Sequence, residues 1–359
     1  MRRTAALIVG GGPAGAAAAI RLARGGVRPL LVERSAGPRD MVCGGFLGWD
    51  ALANLRKLDI DPGALGARPI DRVRFVSPEG SVETALPHPA AGLSRRTLDE
   101  ALLDRARAAG AEILRGRAVR AASSRRVRLD DDEEIEAEAL LLATGKHELR
   151  GHERDASIAG AAIGLRCAIG LSDAAARAID GTIELHLFDG GYAGLLIQDD
   201  GRCNFCLSAS RARLKAAGGP QALLERLTGE SSVLAERLAG GDAGDWSAVA
   251  GVPYGWRARR TVPGVYRIGD QAAVIASLAG DGIAVALASG LGGAEALLEE
   301  TAAADWQRSF HRRSRRPIMV AEMLRRAAEA PRRRAPLMQL LSQFPSLARI
   351  GARLTRIGS

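Results

Sequence analysis

Lysine is nearly missing from this chain: of its 50 basic residues only Lys57, Lys146 and Lys215 are lysine, and the rest are arginine. Aromatic residues supply 4% of the 359 positions. That scarcity excludes a surface of interleaved aromatic and basic side chains on which nucleic-acid bases stack, so no nucleic-acid partner is expected. Cysteine occurs four times, at Cys43, Cys167, Cys203 and Cys206, too seldom for a disulfide scaffold. Cys203 and Cys206 form one C-x-x-C without a second pair, in a strand-like run whose positions i and i+3 face opposite ways, and no metal site is expected. No uncharged run reaches the roughly 18 residues that a membrane-crossing helix needs. The opening Met-Arg-Arg and the apolar run after it imitate a secretion signal, but four glycines and Arg21 and Arg24 break that run, which predicts a cytoplasmic protein.

What is present is a chain of two-domain length that is 47% hydrophobic and 25% charged, ample for a packed core. Its net charge of +9 is lopsided. From Trp306 to Ser359 there are 13 arginines and two acids, Glu322 and Glu329, so the tail carries +11 and the body is near neutral.

Residues 5–9, Ala-Ala-Leu-Ile-Val, read as a buried parallel strand. Gly10-Gly11-Gly12-Pro13-Ala14-Gly15 follows, then an alanine-rich helix to about Ala23 and a second strand from Pro29 to Val32 that ends at Glu33. This is G-x-G-x-x-G in the setting its chemistry requires. Gly10 permits a tight turn, Gly12 lets the backbone approach a pyrophosphate, and Gly15 lets helix and strand close up. The helix N-terminus, opening at Pro13 and Ala14, offers free N–H groups to phosphate. Glu33 lies where a carboxylate accepts hydrogen bonds from ribose hydroxyls, and it disfavours a 2′-phosphate. Arg34, beside it, covers the adenine or faces solvent.

Two later segments narrow the cofactor. Residues 139–145, Ala-Leu-Leu-Leu-Ala-Thr-Gly, read as a strand ending at Thr144-Gly145. From Gly264 the chain reads as a strand, a Gly269-Asp270 turn, a glycine-rich start at Gly280-Asp281-Gly282-Ile283 and an apolar helix. These segments resemble the FAD-binding fold of para-hydroxybenzoate hydroxylase, the geranylgeranyl reductases and the flavin-dependent halogenases. The resemblance covers about residues 1–300 in four ordered motifs. It implies that Asp270 binds the ribityl and pyrophosphate region, and that the helix after Gly280, Gly282 and Ile283 points its N-terminus at the flavin. Arg95, in Arg95-Arg96-Thr97-Leu98-Asp99, resembles the family arginine that reaches the cofactor, and Val119 falls where a main-chain group meets adenine. Cys43-Gly44-Gly45 resembles the C-G-G loop near the flavin ring, with Cys43 either tuning the flavin, touching substrate or simply buried. Gly190-Gly191-Tyr192 resembles the reductases' G-G-Y segment and makes Tyr192 the leading pocket residue, with Phe46 and Trp256 beside it. Cys43 and Tyr192 are the catalytic candidates. The family's Asp-Gly motif is replaced by Thr144-Gly145-Lys146-His147, whose Lys146 and His147 bind phosphate or a carboxylate or stay solvated.

The expected fold is α/β, a Rossmann-like FAD domain of glutathione reductase type with an inserted antiparallel substrate sheet. The division reads 1–77, 94–158 and 258–300 for the FAD domain, 78–93 and 159–257 for the substrate domain, and 301–359 for a helical basic segment punctuated by Pro317, Pro331, Pro336 and Pro345. The resemblance implies an FAD-dependent oxidoreductase: first a monooxygenase that hydroxylates an apolar or phenolic small molecule through a flavin C4a-hydroperoxide, then a reductase of carbon–carbon double bonds. A halogenase is disfavoured by the absence of a W-x-W-x-I-P segment, and a flavin-binding sensor by the absence of a partner domain. No second dinucleotide motif is present, so electrons are expected from transiently docked NAD(P)H or from a partner reductase. The tail is read as packed helices, as a lid, or as a contact for a carrier protein or membrane surface.

Overall fold

The computed structural model describes residues 2–123, 125–154 and 162–358. The chain opens with strand β1 (Arg2–Val9), helix α1 (Pro13–Arg24) and β2 (Leu30–Glu33), followed by the short β3 (Phe46–Leu47), α2 (Trp49–Lys57) and the hairpin β4 (Arg68–Ser77) and β5 (Gly80–Gly92). Helix α3 (Arg95–Ala108) leads into β6 (Glu112–Arg115), β7 (Val119–Ala122), β8 (Arg126–Leu129) and β9 (Glu134–Leu142). Next come β10 (Ala162–Gly170), α4 (Asp173–Ile179), β11 (Thr182–Phe188), β12 (Gly191–Ile197) and β13 (Cys203–Ser210). Helices α5 (Arg211–Ala217), α6 (Pro220–Glu230) and α7 (Ser232–Leu238) precede β14 (Asp242–Ala243), β15 (Ser247–Val252) and β16 (Val265–Arg267). The chain then runs through α8 (Gly282–Leu298), α9 (Ala303–Glu329), α10 (Pro331–Gln343) and α11 (Ser346–Leu354).

The strands form two sheets. The first has the order β6-β2-β1-β9-β8-β7, with β16 also on β9. Its β6, β2, β1, β9 and β16 run parallel, which is why Leu7, Ile8 and Val9 of β1 and Leu140, Leu141 and Leu142 of β9 form unbroken apolar runs: both faces are covered. Helix α1 can lie close to α8 because its face is alanine and the opposing residue is Gly290, where a Cβ would sit 2.2 Å from the Ala14 carbonyl oxygen.

The second sheet has the order β14-β10-β13-β12-β11-β4-β5-β3, with β15 on β10. It is mixed rather than antiparallel throughout, because β4 and β11 pair in parallel. Strand β4 hydrogen-bonds in this sheet through all its length, so the division expected at residue 77 cuts the sheet, and the whole hairpin from Arg68 belongs with it. The division at 158 and the start of the strand expected at Ala161 lie outside the described residues. Alternation along β12 shows how the sheet divides its labour: Ala193 and Leu195 pack with Leu223, Leu227 and Leu234 of α6 and α7, while Tyr192, Gly194 and Leu196 face a cavity.

The tail is helical, as expected, but Pro317 does not break it. Helix α9 continues through Pro317, and α10 through Pro336. Each proline removes one N–H donor, and burial of Phe310, Ile318 and Ala321 against the body holds α9 together across the gap. No helix among the described residues is long and apolar enough to cross a membrane.

Candidate active site

The glycine turn after β1 packs as tightly as its sequence implies. Gly10 has φ of +108°, and a Cβ there would lie 2.4 Å from the Ala143 carbonyl oxygen. At Gly15 a Cβ would lie 1.9 Å from the Gly10 carbonyl oxygen, so this glycine permits helix–turn contact and does not itself border the cleft. Glu33 closes the turn. Its carboxylate accepts hydrogen bonds from the Gly11 N–H at 2.7 Å and the Ser35 N–H at 2.8 Å.

A cleft opens in front of this turn in two compartments. The larger, about 550 Å³, is bordered by Gly10, Gly12, Glu33, Arg34, Val119 and Thr144 among others. The smaller, about 200 Å³, is bordered by Pro13, Ala14, Cys43, Gly44, Phe46 and Tyr192, and by Gly269, Gly280, Gly282 and Ile283. Gly12, Val42, Arg95, Gly145, Lys146 and Asp270 border both. Together these volumes fall in the range of roughly 300–1,000 Å³ typical of cofactor sites.

Charge is concentrated where the compartments meet. Arg95 makes a bidentate pair with Asp99, at 2.8 Å and 2.7 Å. The Lys146 Nζ lies 3.7 Å from an Asp270 carboxylate oxygen. Burial works against the lysine's charge, but Asp270, Cys43 and Tyr254 together outweigh it and hold the ammonium's pKa above its ordinary value. The turn that carries Lys146 is pinned from outside: Gln271 Nε2 donates to the carbonyls of Gly145 and His147, both at 3.0 Å, and Arg154 donates to those of Lys146 at 2.8 Å and Asp270 at 2.9 Å. Arg34 and His147 meet at 2.6 Å across the outer rim. Burial and the neighbouring arginines push the His147 pKa down, so a neutral imidazole accepts from the guanidinium.

The Cys43 loop is held by the second sheet. Asn204 Nδ2 donates to the carbonyls of Cys43 at 3.0 Å and Gly44 at 2.7 Å, and its own oxygen accepts from Arg166 at 2.8 Å. On the far wall of the smaller compartment, the Tyr192 hydroxyl hydrogen-bonds Ser277 Oγ, which also meets the Tyr254 hydroxyl at 2.7 Å. Burial raises the Tyr192 pKa well above its ordinary value, keeping the hydroxyl protonated.

Residues 3–152 match the FAD binding domain family. The chain carries an FAD binding domain. The cleft fits this cofactor on its own features. A Cβ at Gly44, Gly145 or Gly282 would meet no protein atom within 4 Å, which leaves backbone open to a flat ligand. The Ser35 Oγ, on the wall beside Glu33, is buried without a partner. The flavoprotein's first compartment would thus take the adenosine and pyrophosphate, and its second the flavin ring with space for a substrate.

The flavoprotein is 39% identical over 120 residues to the chloroplastic geranylgeranyl diphosphate reductase of Oryza sativa subsp. japonica, covering 32% of this chain and 25% of that protein. It is 32% identical over 158 residues to the menaquinone reductase of Mycobacterium tuberculosis, covering 41% of this chain and 39% of that protein. The matches thus span about a quarter to two-fifths of those relatives' length. Among solved structures it resembles the flavin-dependent brominase Bmp2, with a TM-score of 0.80 and 16% identity over 98% of this chain and 93% of that one. It also resembles Pseudomonas aeruginosa PqsL in complex with 2-aminobenzoylacetate, with a TM-score of 0.73 and 18% identity over 94% of this chain and 100% of that one.

Of the residues expected in the site, the cleft gathers all but Gly15 and Trp256. Trp256 is 8% exposed and packs with Val252, Ala258 and Val274, under the Arg154 guanidinium at 5.3 Å. It supports the loop that pins the Lys146 turn and does not touch the cavity. Sequence reasoning left Lys146 open and missed Ser277 and Asn204. Lys146 had a signal, the displaced Asp-Gly motif; Ser277 and Asn204 had none, since only the fold sets them against Tyr192 and Cys43.

Proposed function

We propose that this flavoprotein is an FAD-dependent reductase of carbon–carbon double bonds in an apolar small molecule. The observation that carries this reading is the chain of hydroxyls from Tyr192 through Ser277 to Tyr254, set among the apolar Ile183, Leu185, Leu196 and Ile275 of the cavity wall. Saturating a double bond takes a hydride and a proton. Reduced FAD supplies the hydride when bound, and the protein must supply the rest. Phe46, Leu185, Leu196 and Ile275 border the cavity and would exclude water and orient an apolar substrate. The Tyr192 hydroxyl holds a proton facing that space, and Ser277 and Tyr254 offer a path to replace it. The names of the rice and mycobacterial relatives support the same reading. Electrons would come from NAD(P)H docking transiently or from a partner reductase.

The monooxygenase reading, placed first on sequence resemblance, uses the same cavity, but its support from PqsL is a likeness of fold. One experiment separates the two. Chemically reduced flavoprotein is mixed, without oxygen, with an unsaturated polyprenyl alcohol or diphosphate, and flavin reoxidation and product mass are followed. Reoxidation with a product two hydrogens heavier is the expected result. Turnover only with oxygen, giving a product one oxygen heavier, would replace the reductase with the monooxygenase.

A further inference from the structure

The arginines of the C-terminal segment divide into two groups. Arg308, Arg325, Arg326, Arg334 and Arg356 meet carboxylates of Asp305, Glu322, Glu329, Glu79 and Asp281. Arg313 donates to the backbone carbonyl of Ile357 at 3.1 Å. The others are exposed and have no acidic partner among the described residues: Arg312, Arg315 and Arg316 on α9, Arg332 and Arg333 on α10, and Arg349 and Arg353 on α11. The tail's charge is therefore only partly structural.

Large apolar side chains stand among these free cations. Met319 is 60% exposed, Met323 61%, Leu340 45%, Phe344 55% and Ile350 50%. Of the exposed large hydrophobic residues among those described, only Val262 lies elsewhere. Helical spacing groups them with arginine. On α9, Arg312, Arg316, Met319, Met323 and Arg326 follow one another at steps of four and three, a single outward stripe. On α11, Arg353 lies four residues after Arg349 and three after Ile350, within one turn of both. Leu340 and Phe344 are one turn apart at the end of α10.

Each stripe is the outer side of its helix. Ala328 at the end of α9, Met338 and Leu341 of α10, and Leu347 and Ala348 of α11 pack on one cluster with Leu185, Leu187 and Tyr192 of the second sheet, while Phe310, Ile318 and Ala321 earlier on α9 pack on Ala272, Ile275 and Val285. The stripes are thus the solvent-facing sides of three consecutive helices. A stripe of exposed methionine, leucine, phenylalanine and isoleucine rimmed by unpaired arginine matches an interface of acyl chains below anionic headgroups.

We propose that the outer face of α9, α10 and α11 is a peripheral binding surface for anionic lipid membranes. Arginines would contact headgroups while Met319, Met323, Leu340, Phe344 and Ile350 enter the upper acyl region. The test is co-sedimentation of the FAD-loaded full chain with phosphatidylcholine vesicles, with and without phosphatidylglycerol. The expected result is binding to the anionic vesicles, reduced by salt, and weak binding to phosphatidylcholine alone. Met323→Asp with Phe344→Asp, and separately Arg349→Glu with Arg353→Glu, should each weaken binding by roughly tenfold or more. Retained flavin absorbance reports that each variant is folded; if the aspartate pair loses flavin, Phe344→Ser with Ile350→Ser takes its place. Failure of the unaltered protein to bind anionic vesicles overturns the proposal, including a case in which it instead retains an acidic protein. So does undiminished binding by either folded double variant.

Discussion

Asp199, at the turn between β12 and β13, holds the cap of a helix of the other layer: its carboxylate accepts from the Ser94 N–H at 2.7 Å and from the Thr97 hydroxyl at 2.5 Å. Ser94 is the N-cap of α3, and Arg95, which borders both compartments of the cleft, is its first residue. The second sheet therefore fixes where the cleft-lining arginine begins its helix.

Replacing Asp199 with alanine should lower stability by about 1–3 kcal/mol, the scale of a buried cap and its hydrogen bonds. It should also weaken FAD binding, read by thermal melting and flavin titration. Burial alone would raise the Asp199 pKa, but the donors of Thr97 and Ser94 outweigh it and hold it below the usual value. A depressed folded-state pKa contributes stability above the unfolded value of about 3.9 and loses it as pH falls through the folded one. The gap in melting temperature between the two proteins should therefore close in strong acid and stay open near neutrality.

Asp270 and Lys146 form the polar waist of the cleft. Asp270→Ala should weaken FAD binding by roughly 1.5–3 kcal/mol, the scale of hydrogen bonds to a charged group. Lys146→Met should weaken it as well, because a cation beside the glycine turn favours pyrophosphate. Equilibrium titration with FAD checks both; an unchanged dissociation constant for Asp270→Ala would place the carboxylate off the cofactor.

The hydroxyl chain predicts a kinetic signature. Tyr192→Phe and Ser277→Ala should each lower kcat by roughly 10²-fold, the lower range for loss of a positioned proton donor, with FAD affinity retained. A smaller solvent isotope effect in Ser277→Ala than in the unaltered enzyme would show that the proton no longer comes through the chain. Equal kcat in all three proteins would reduce these hydroxyls to packing.

The cysteines should react in a fixed order. Burial pushes the Cys167 and Cys206 thiols up to about 12 and raises that of Cys203 as well, so these remain protonated at neutral pH and unreactive. Cys43, half-buried on the cleft wall, should be alkylated first, and bound FAD should protect it. Peptide mapping after iodoacetamide, with and without FAD, reads both effects.

The most local features were legible without coordinates. The strand, glycine turn, helix and acidic residue from Ala5 to Glu33 are fixed by contacts close along the chain, and glycine is the only residue that fits at Gly10 and Gly15. The Gly269-Asp270 turn and the apolar helix after Gly282 were readable for the same reason. The limit of strand β4 was not, because its partner β11 lies more than 100 residues later and strand pairing leaves little mark on a single strand. Trp256 was misplaced since an aromatic residue that packs beneath a loop looks, in sequence, like one that faces a cavity.

By itself the sequence determined the dinucleotide turn, the alternation of buried strands and helices, and the near-neutral body with its basic tail. These depend on residue type, spacing and count. Only the tertiary structure decided which hydroxyl meets Tyr192, since Ser277 is 85 residues away, and which carboxylate holds the cap of α3, since Asp199 is 105 residues from Ser94. It also divided the tail's arginines, setting Arg356 against Asp281 at the start of α8 while leaving Arg349 and Arg353 exposed. Identical side chains on neighbouring turns take opposite roles because a helix face is buried or free according to what packs on it, and packing partners are chosen by the fold.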